Sequence, residues 1–244
     1  MSSAEFLVQG FIKAFELIFS LNPYIVSITG VSVRVSGTAT LLATLTAIPL
    51  AFAISFIHFR GKQALITLVN TGMGLPPVFV GLFVFLMIVP VGPFGFLNIV
   101  YTKEAMILAQ YILITPIITG ISLAAIKAVP KLIIETVYTL GGTEKDAAVA
   151  TLKEARFGII TAVLAGFGRA LAEVGAILIV GGNIAHTGSV GGIGEGLSET
   201  RTLTTAITSE TSKGEISTSI ALGIILISLV LSVNIMANYF QRRD

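Results

Sequence analysis

Two groups of residues in this chain have types and spacing that could do chemistry. The first is Glu135-Thr-Val-Tyr-Thr-Leu140-Gly141-Gly142-Thr143-Glu144-Lys145-Asp146, the charged stretch between Lys127 and Arg156. Thr143 stands three residues before Asp146, so a hydroxyl and a carboxylate can satisfy free N–H groups at a helix start. Gly141 and Gly142 can end a preceding helix over 130–140 through easy access to positive φ. The chemistry of such a stretch is mechanical. Two short helices around a glycine break form either a handle for an outside partner or an ordinary helical loop. The second group is Arg169 and Glu173, four apart in an apolar stretch and hence on one helix face. A charge at the bilayer centre costs about 2.5–3.5 kcal/mol on insertion scales, so both must face protein or water. Either they neutralise each other and tie helices together, or they line the path of a charged solute.

Other chemistries are excluded. The chain has no Cys, so disulfides, thiolate metal sites and cysteine nucleophiles are absent. His58 and His186 fall in different loops, and no metal site is expected. No Gly-x-x-x-x-Gly-Lys-Ser/Thr loop occurs, and Gly192-Ile-Gly194-Glu-Gly196 lacks the dinucleotide spacing and strand–helix setting. No His/Asp/Glu or Ser/His cluster gathers at one membrane face, which disfavours a membrane enzyme. The net charge of +2 is too small to argue for nucleic acid.

The elements that must position these residues are membrane helices. Of 244 residues, 54% are hydrophobic and 11% charged, against about 25% charged in soluble domains. Mean hydropathy is +0.94. A span needs roughly 20 apolar residues. Five stretches meet that length: 35–57, 64–90, 105–126, 158–184 and 216–241. Pro49, Pro77 and Pro116 lie inside the first three, which predicts a packed bundle with kinks. Residues 6–18 show an apolar helical face opposite Glu5, Gln9, Lys13 and Glu16. An interfacial helix is expected there, with a sixth span as the alternative. No cleaved signal peptide is expected.

Lys and Arg set the orientation. With the first span running inward, Arg60, Lys62, Lys127, Lys131, Lys145, Lys153, Arg156, Arg242 and Arg243 fall inside. Lys13, Arg34, Lys103, Arg201 and Lys213 fall outside. Nine against five favours an external N-terminus and a cytoplasmic C-terminus.

The 135–146 stretch resembles the cytoplasmic "EAA" loop of ABC importer permeases, with Glu135 at the glutamate position and Leu140-Gly141 at the Leu-Gly position. Phe167-Gly-Arg169-Ala-Leu-Ala-Glu173-Val-Gly175-Ala176 is similar to the span after that loop in molybdate, tungstate and sulfate permeases. Gly72-Met-Gly-Leu-Pro76-Pro77-Val-Phe-Val-Gly81 resembles their Leu-Pro-Pro span. Val180-Gly-Gly-Asn183-Ile, Thr200-Arg201-Thr-Leu-Thr204-Thr205 and Glu210-Thr-Ser-Lys213-Gly214 resemble the tungstate-type branch. The chain departs from the family in Thr136-Val137, which replaces two alanines. It also carries Leu152-Lys153-Glu154-Ala155-Arg156 in place of Leu-Pro, so the coupling segment is expected to run on into the fourth span.

The resemblance implies an all-α integral membrane protein with the type I ABC importer transmembrane fold, five spans plus an interfacial helix. It implies one permease domain over 1–244, with an N-terminal amphipathic helix (1–22), a cytoplasmic coupling loop (127–156) and an extracytoplasmic loop (185–215). It implies a multi-pass protein of the cell membrane, a homodimer in lipid joined to two ATP-binding cassette ATPases and an extracytoplasmic substrate-binding protein. The chain itself would be non-catalytic and hold no cofactor, with ATP and Mg bound by the ATPases. Glu135, Leu140, Gly141, Gly142, Thr143, Asp146, Ala147 and Ala148 would couple to the ATPase. Arg169 and Glu173 would line the pathway or gate for an oxyanion, tungstate or molybdate. Arg201 and Lys213 would be rim contacts of a docking surface for the binding protein, unless 185–215 is a solvated linker. A permease for phosphate, sulfate or methionine is the alternative, followed by a channel or secondary transporter needing no ATPase.

Overall fold

The structure, a computed structural model, describes residues 3–185 and 198–241. His186, the Gly192–Gly196 motif, Arg242 and Arg243 lie outside the described residues. Among the described residues ten α-helices follow in order: α1 Ser3–Phe19, α2 Pro23–Phe56, α3 Lys62–Met73, α4 Pro77–Ile88, α5 Lys103–Ala128, α6 Lys131–Thr139, α7 Glu144–Leu171, α8 Gly175–Gly181, α9 Leu203–Lys213 and α10 Ile216–Gln241. Among the described residues the only β pairing is an isolated bridge between Ala185 and Ser198.

Among the described residues three helices, α2, α5 and α10, are each long and apolar enough to cross a membrane, and the broken pairs α3–α4 and α7–α8, each counted as one span, bring the candidates to five. The five expected stretches are therefore found, with differences that have local causes. The stretch 64–90 is two helices, because Pro76 and Pro77 supply no N–H to continue α3 and Pro77 opens α4. α2 begins well before residue 35. Asn22 accepts the Tyr24 N–H at 2.9 Å and Pro23 is set for a first helical position. Arg34, expected in the preceding segment, is thus an exposed residue inside α2. Pro49 and Pro116 sit inside unbroken helices. α1 forms as expected, but it packs through its small residues: Gly10 and Ala14 are buried while Phe11 and Phe15 are each 48% exposed.

The chain divides into two compact units. The first comprises residues 1–39, 76–110 and 170–232. Its core gathers Ala14 of α1, Ile25 and Ile28 of α2, Leu203 and Ala206 of α9, and Leu222 of α10. Within it α4 and α8 meet backbone to backbone. A Cβ on Gly81 would stand 2.6 Å from the Ala176 Cα. Such contact is how apolar helices gain packing energy in lipid, where no hydrophobic force separates helix from solvent.

The second unit comprises residues 40–75, 111–169 and 233–244. Ala51 and Ile54 of α2, Val69 of α3, Leu123 and Ile126 of α5 and Ala155 of α7 form its core. Small residues again set the spacing. A Cβ on Gly158 would lie 2.6 Å from the Ala125 Cβ, and one on Gly166 would lie 2.6 Å from Ile118.

Candidate functional site

The handle is built in the second unit by local chemistry. Pro130 caps α6 in extended conformation, and its carbonyl accepts the Ile133 N–H at 3.1 Å. At the other end Gly141 N–H bonds Tyr138 O at 3.0 Å and Gly142 N–H bonds Val137 O at 2.9 Å. This crossed pair is the Schellman closure of a helix. The two glycines are required for different reasons. Gly141 has φ +81°, whereas a Cβ on Gly142 would come within 2.8 Å of Val137 O. Thr143 then donates its N–H (2.8 Å) and hydroxyl (2.7 Å) to Asp146 Oδ2, and Asp146 N–H returns to Thr143 Oγ1 at 3.4 Å. From that box α7 runs unbroken to Leu171, as the absence of the family proline led one to expect. The second of the two short helices expected around the glycine break is only its beginning.

Of the expected coupling residues, Glu135, Leu140, Gly141, Thr143 and Asp146 are exposed and Gly142 is partly so. Ala147 and Ala148 are buried, at 4% and 9% exposed, and line the cavity beside α6 and the start of α7. Exposed apolar side chains fall instead at Leu132, Tyr138, Leu140 and Val149. Beside them lies this 620 Å³ cavity, whose lining includes Phe56, Tyr138, Val149 and Leu152 together with Ala147, Ala148, His58, Glu144 and Lys145.

Both Thr143 donors hold the Asp146 carboxyl below the usual carboxylate range. Asp146 belongs to the charged, water-facing start of α7, ahead of the apolar stretch from Gly158. A lowered folded value means that the cap contributes fully above the unfolded value of about 3.9. It is lost as pH falls through the still lower folded value. Amide exchange in the first turn of α7, corrected for intrinsic rates, is expected to stay flat from neutral pH down to about 4 and to rise only below. Thr143→Val should raise it at neutral pH. A rise between pH 7 and 5 in the unmodified protein would contradict this account.

The second feature lies in the first unit. α7 stops at Leu171, α8 starts at Gly175, and residues 172–174 are not helical. Several of the backbone groups released by this break have partners. Gln110 Nε2 of α5 donates to Ala170 O at 2.9 Å, and Glu173 N–H reaches the same carbonyl at 3.3 Å. Thr204 Oγ1 of α9 donates to Glu173 O at 2.7 Å. Glu173 Oε1 accepts the Ala176 N–H at 3.2 Å, placing a carboxylate at the start of α8. Glu173 is 3% exposed. At the far end of α8, Gly182 has φ +67° and Thr200 donates to Gly181 O at 2.5 Å. Unwound backbone in a membrane protein persists only where protein or water satisfies it.

Arg169 lies partly buried in the last turn of α7 and Glu173 beyond that helix's end. The expectation of one continuous helix face is therefore corrected. The break needs no proline because side chains from α5 and α9 replace the missing helical bonds. Sequence reasoning did not single out Gln110. Its one signal was an amide alone among apolar neighbours.

Arg201 and Lys213 converge on a buried acid. Glu210, 2% exposed, accepts from Tyr24 Oη at 2.7 Å, Lys213 Nζ at 3.0 Å and Arg201 at 3.5 Å. Arg201 also donates to Tyr24 Oη at 2.8 Å, and its side chain is 12% exposed. Expected at a docking rim, Arg201 is instead turned inward. Lys213, 43% exposed, keeps an open side. α9 forms between them, with Thr202 and Thr205 as a reciprocal cap.

Residues 22–243 match the family of binding-protein-dependent transport system inner membrane components. The chain is similar to a probable anion ABC transporter permease protein of Haloferax volcanii, 46% identical over 220 residues, covering 90% of this chain and 92% of the relative. It is also similar to the tungstate uptake system permease protein TupB of Peptoclostridium acidaminophilum, 34% identical over 230 residues, covering 94% and 96%. Among solved structures, a bacterial alginate ABC transporter in complex with a periplasmic protein matches with TM-score 0.68 at 17% identity, covering 100% of this chain and 89% of that one. At that identity the likeness shows the fold alone.

Proposed function

Because this chain belongs to the binding-protein-dependent transport system inner membrane components, we propose that it is the permease subunit of an ATP-driven oxyanion importer, for tungstate or molybdate. It is a multi-pass membrane protein with the ABC importer transmembrane fold. The observation that carries the substrate is near-full-length similarity to a permease named for tungstate and to one named for an anion. In this reading two copies pair in the cell membrane with the N-terminus outside. Each handle is gripped by an ATPase subunit, and a binding protein delivers the oxyanion at α9 and its neighbouring loop.

The handle suits that task because the joint between its two helices is tied down on both sides, by the glycine closure of α6 and by the Thr143–Asp146 box of α7. A rigid element transmits displacement, whereas a floppy one absorbs it. α7 carries the handle at its start and ends at the unwound turn, so motion driven by ATP closure travels along one rod. Such closure shifts the population between inward- and outward-open states. Arg169 and Glu173 flank the end of that rod, where a gate for an anion is expected.

Proteoliposomes test the reading. Tungstate uptake should require ATP, the ATPase and the binding protein, and Leu140→Asp should abolish co-purification of the ATPase. Leu140 is 83% exposed, so the substitution leaves this chain's own packing alone. Flux through the purified chain without ATP would point to a channel or secondary transporter and overturn the proposal. Uptake driven by sulfate or phosphate in place of tungstate would correct the substrate only.

A further inference from the structure

We infer that Thr204 is a positioning residue that ties helix α9 to the unwound turn at 172–174, so that whatever moves α9 resets the turn. The inference rests on the permease reading and deepens it by naming a link between the outer docking region and the gate.

In an uninterrupted α7 the Glu173 carbonyl would accept a helical N–H four residues on. The break removes that donor, and a buried carbonyl left without one is strongly disfavoured. Thr204 Oγ1 supplies the replacement at 2.7 Å, and Thr204 is itself 6% exposed. The same stretch grips the other end of α8, since Thr200 Oγ1 donates to Gly181 O and accepts the Ile184 N–H at 2.9 Å. Residues 200–204 thus hold both ends of α8. α9 is a firm base for that grip. Leu203 N–H bonds Ser32 Oγ of α2 at 2.7 Å, and Leu203 and Ala206 are fully buried. The turn keeps its shape only while α9 stays in place. A partner with different affinity for two positions of α9 therefore biases the turn, which is the content of coupling between sites.

Thr204→Val keeps the side-chain volume and removes the hydroxyl, whereas Thr204→Ser keeps the hydroxyl. Each is placed in the complete transporter, with ATPase and tungstate-loaded binding protein, in nanodiscs. The readout is the ratio of ATP hydrolysis with and without binding protein. Thr204→Val is expected to lower that ratio about fivefold, the low end of typical site-to-site coupling, and Thr204→Ser to keep it. Loss of packing alone would alter yield and melting but would not be rescued selectively by serine. If the valine variant does not assemble, Thr204→Ala carries the same test, because it removes the hydroxyl without adding a methyl group. A ratio in the hydroxyl-free variant equal to that of the unmodified complex overturns the inference while leaving the permease reading intact. An unmodified complex that shows no stimulation overturns both.

Discussion

Glu210→Ala is expected to destabilise the first unit by about 3–5 kcal/mol, the usual cost of removing one partner from a buried charge group. Glu210 is the single acceptor on which Tyr24, Arg201 and Lys213 converge. Without it, the Arg201 guanidinium, 12% exposed, keeps the neutral acceptors Tyr24 Oη and Asn183 O but loses its carboxylate. Lys213 loses less, because it already reaches solvent. The measurement is the thermal unfolding midpoint of the purified protein in detergent. The double variant Glu210→Leu with Arg201→Met should recover most of the loss, since apolar groups of similar volume replace a buried ion pair at little cost. An unchanged midpoint in Glu210→Ala would show that the network does not bear on stability.

Gly81→Val should be comparably severe, for a steric reason. The nearest atoms to a Cβ at Gly81 are the Ala176 Cα at 2.6 Å and O at 3.0 Å, which are backbone and cannot rotate away. Overpacking a tight core costs about 1–3 kcal/mol and occasionally more, and here α8 itself must shift. Because the Glu173 carboxylate bonds the Ala176 N–H, that shift also moves the acid at the break. Loss of monodisperse protein, or assembled protein without tungstate uptake, is the expected outcome. Gly30→Ala and Gly223→Ala are the controls. Nothing lies within 4 Å of a Cβ at either site, so both should behave as the unmodified chain. Normal uptake by Gly81→Val would mean that α4 and α8 do not pack as described.

The handle was legible residue by residue because its determinants are short-range. The bonds that close α6 and open α7 join residues at most five apart along the chain. Local chemistry of that kind reads the same on paper as in space. The break at Pro76-Pro77 was foreshadowed by its prolines, although a kinked single span was expected and two helices were found. The break after Leu171 had no such signal. Its carbonyls are satisfied by Gln110, 60 residues away, and Thr204, 31 residues away. No pattern within α7 announces either donor. Arg201 was misplaced for a related reason. A lone arginine in a polar loop reads as a surface charge, and its partner Tyr24 is 177 residues distant.

Composition and hydropathy alone determined that this chain lives in a membrane and roughly where it crosses, and neighbouring side chains marked where α6 closes and α7 begins. Partition into lipid depends on summed apolar character, and helix ends depend on neighbouring side chains, so both are properties of short windows. Only the tertiary structure decided which charges are internal, where the fourth span unwinds and which residues hold it open. Those outcomes turn on hydrogen bonds between distant segments, and a buried polar group takes whichever partner the packing brings within 3 Å or so.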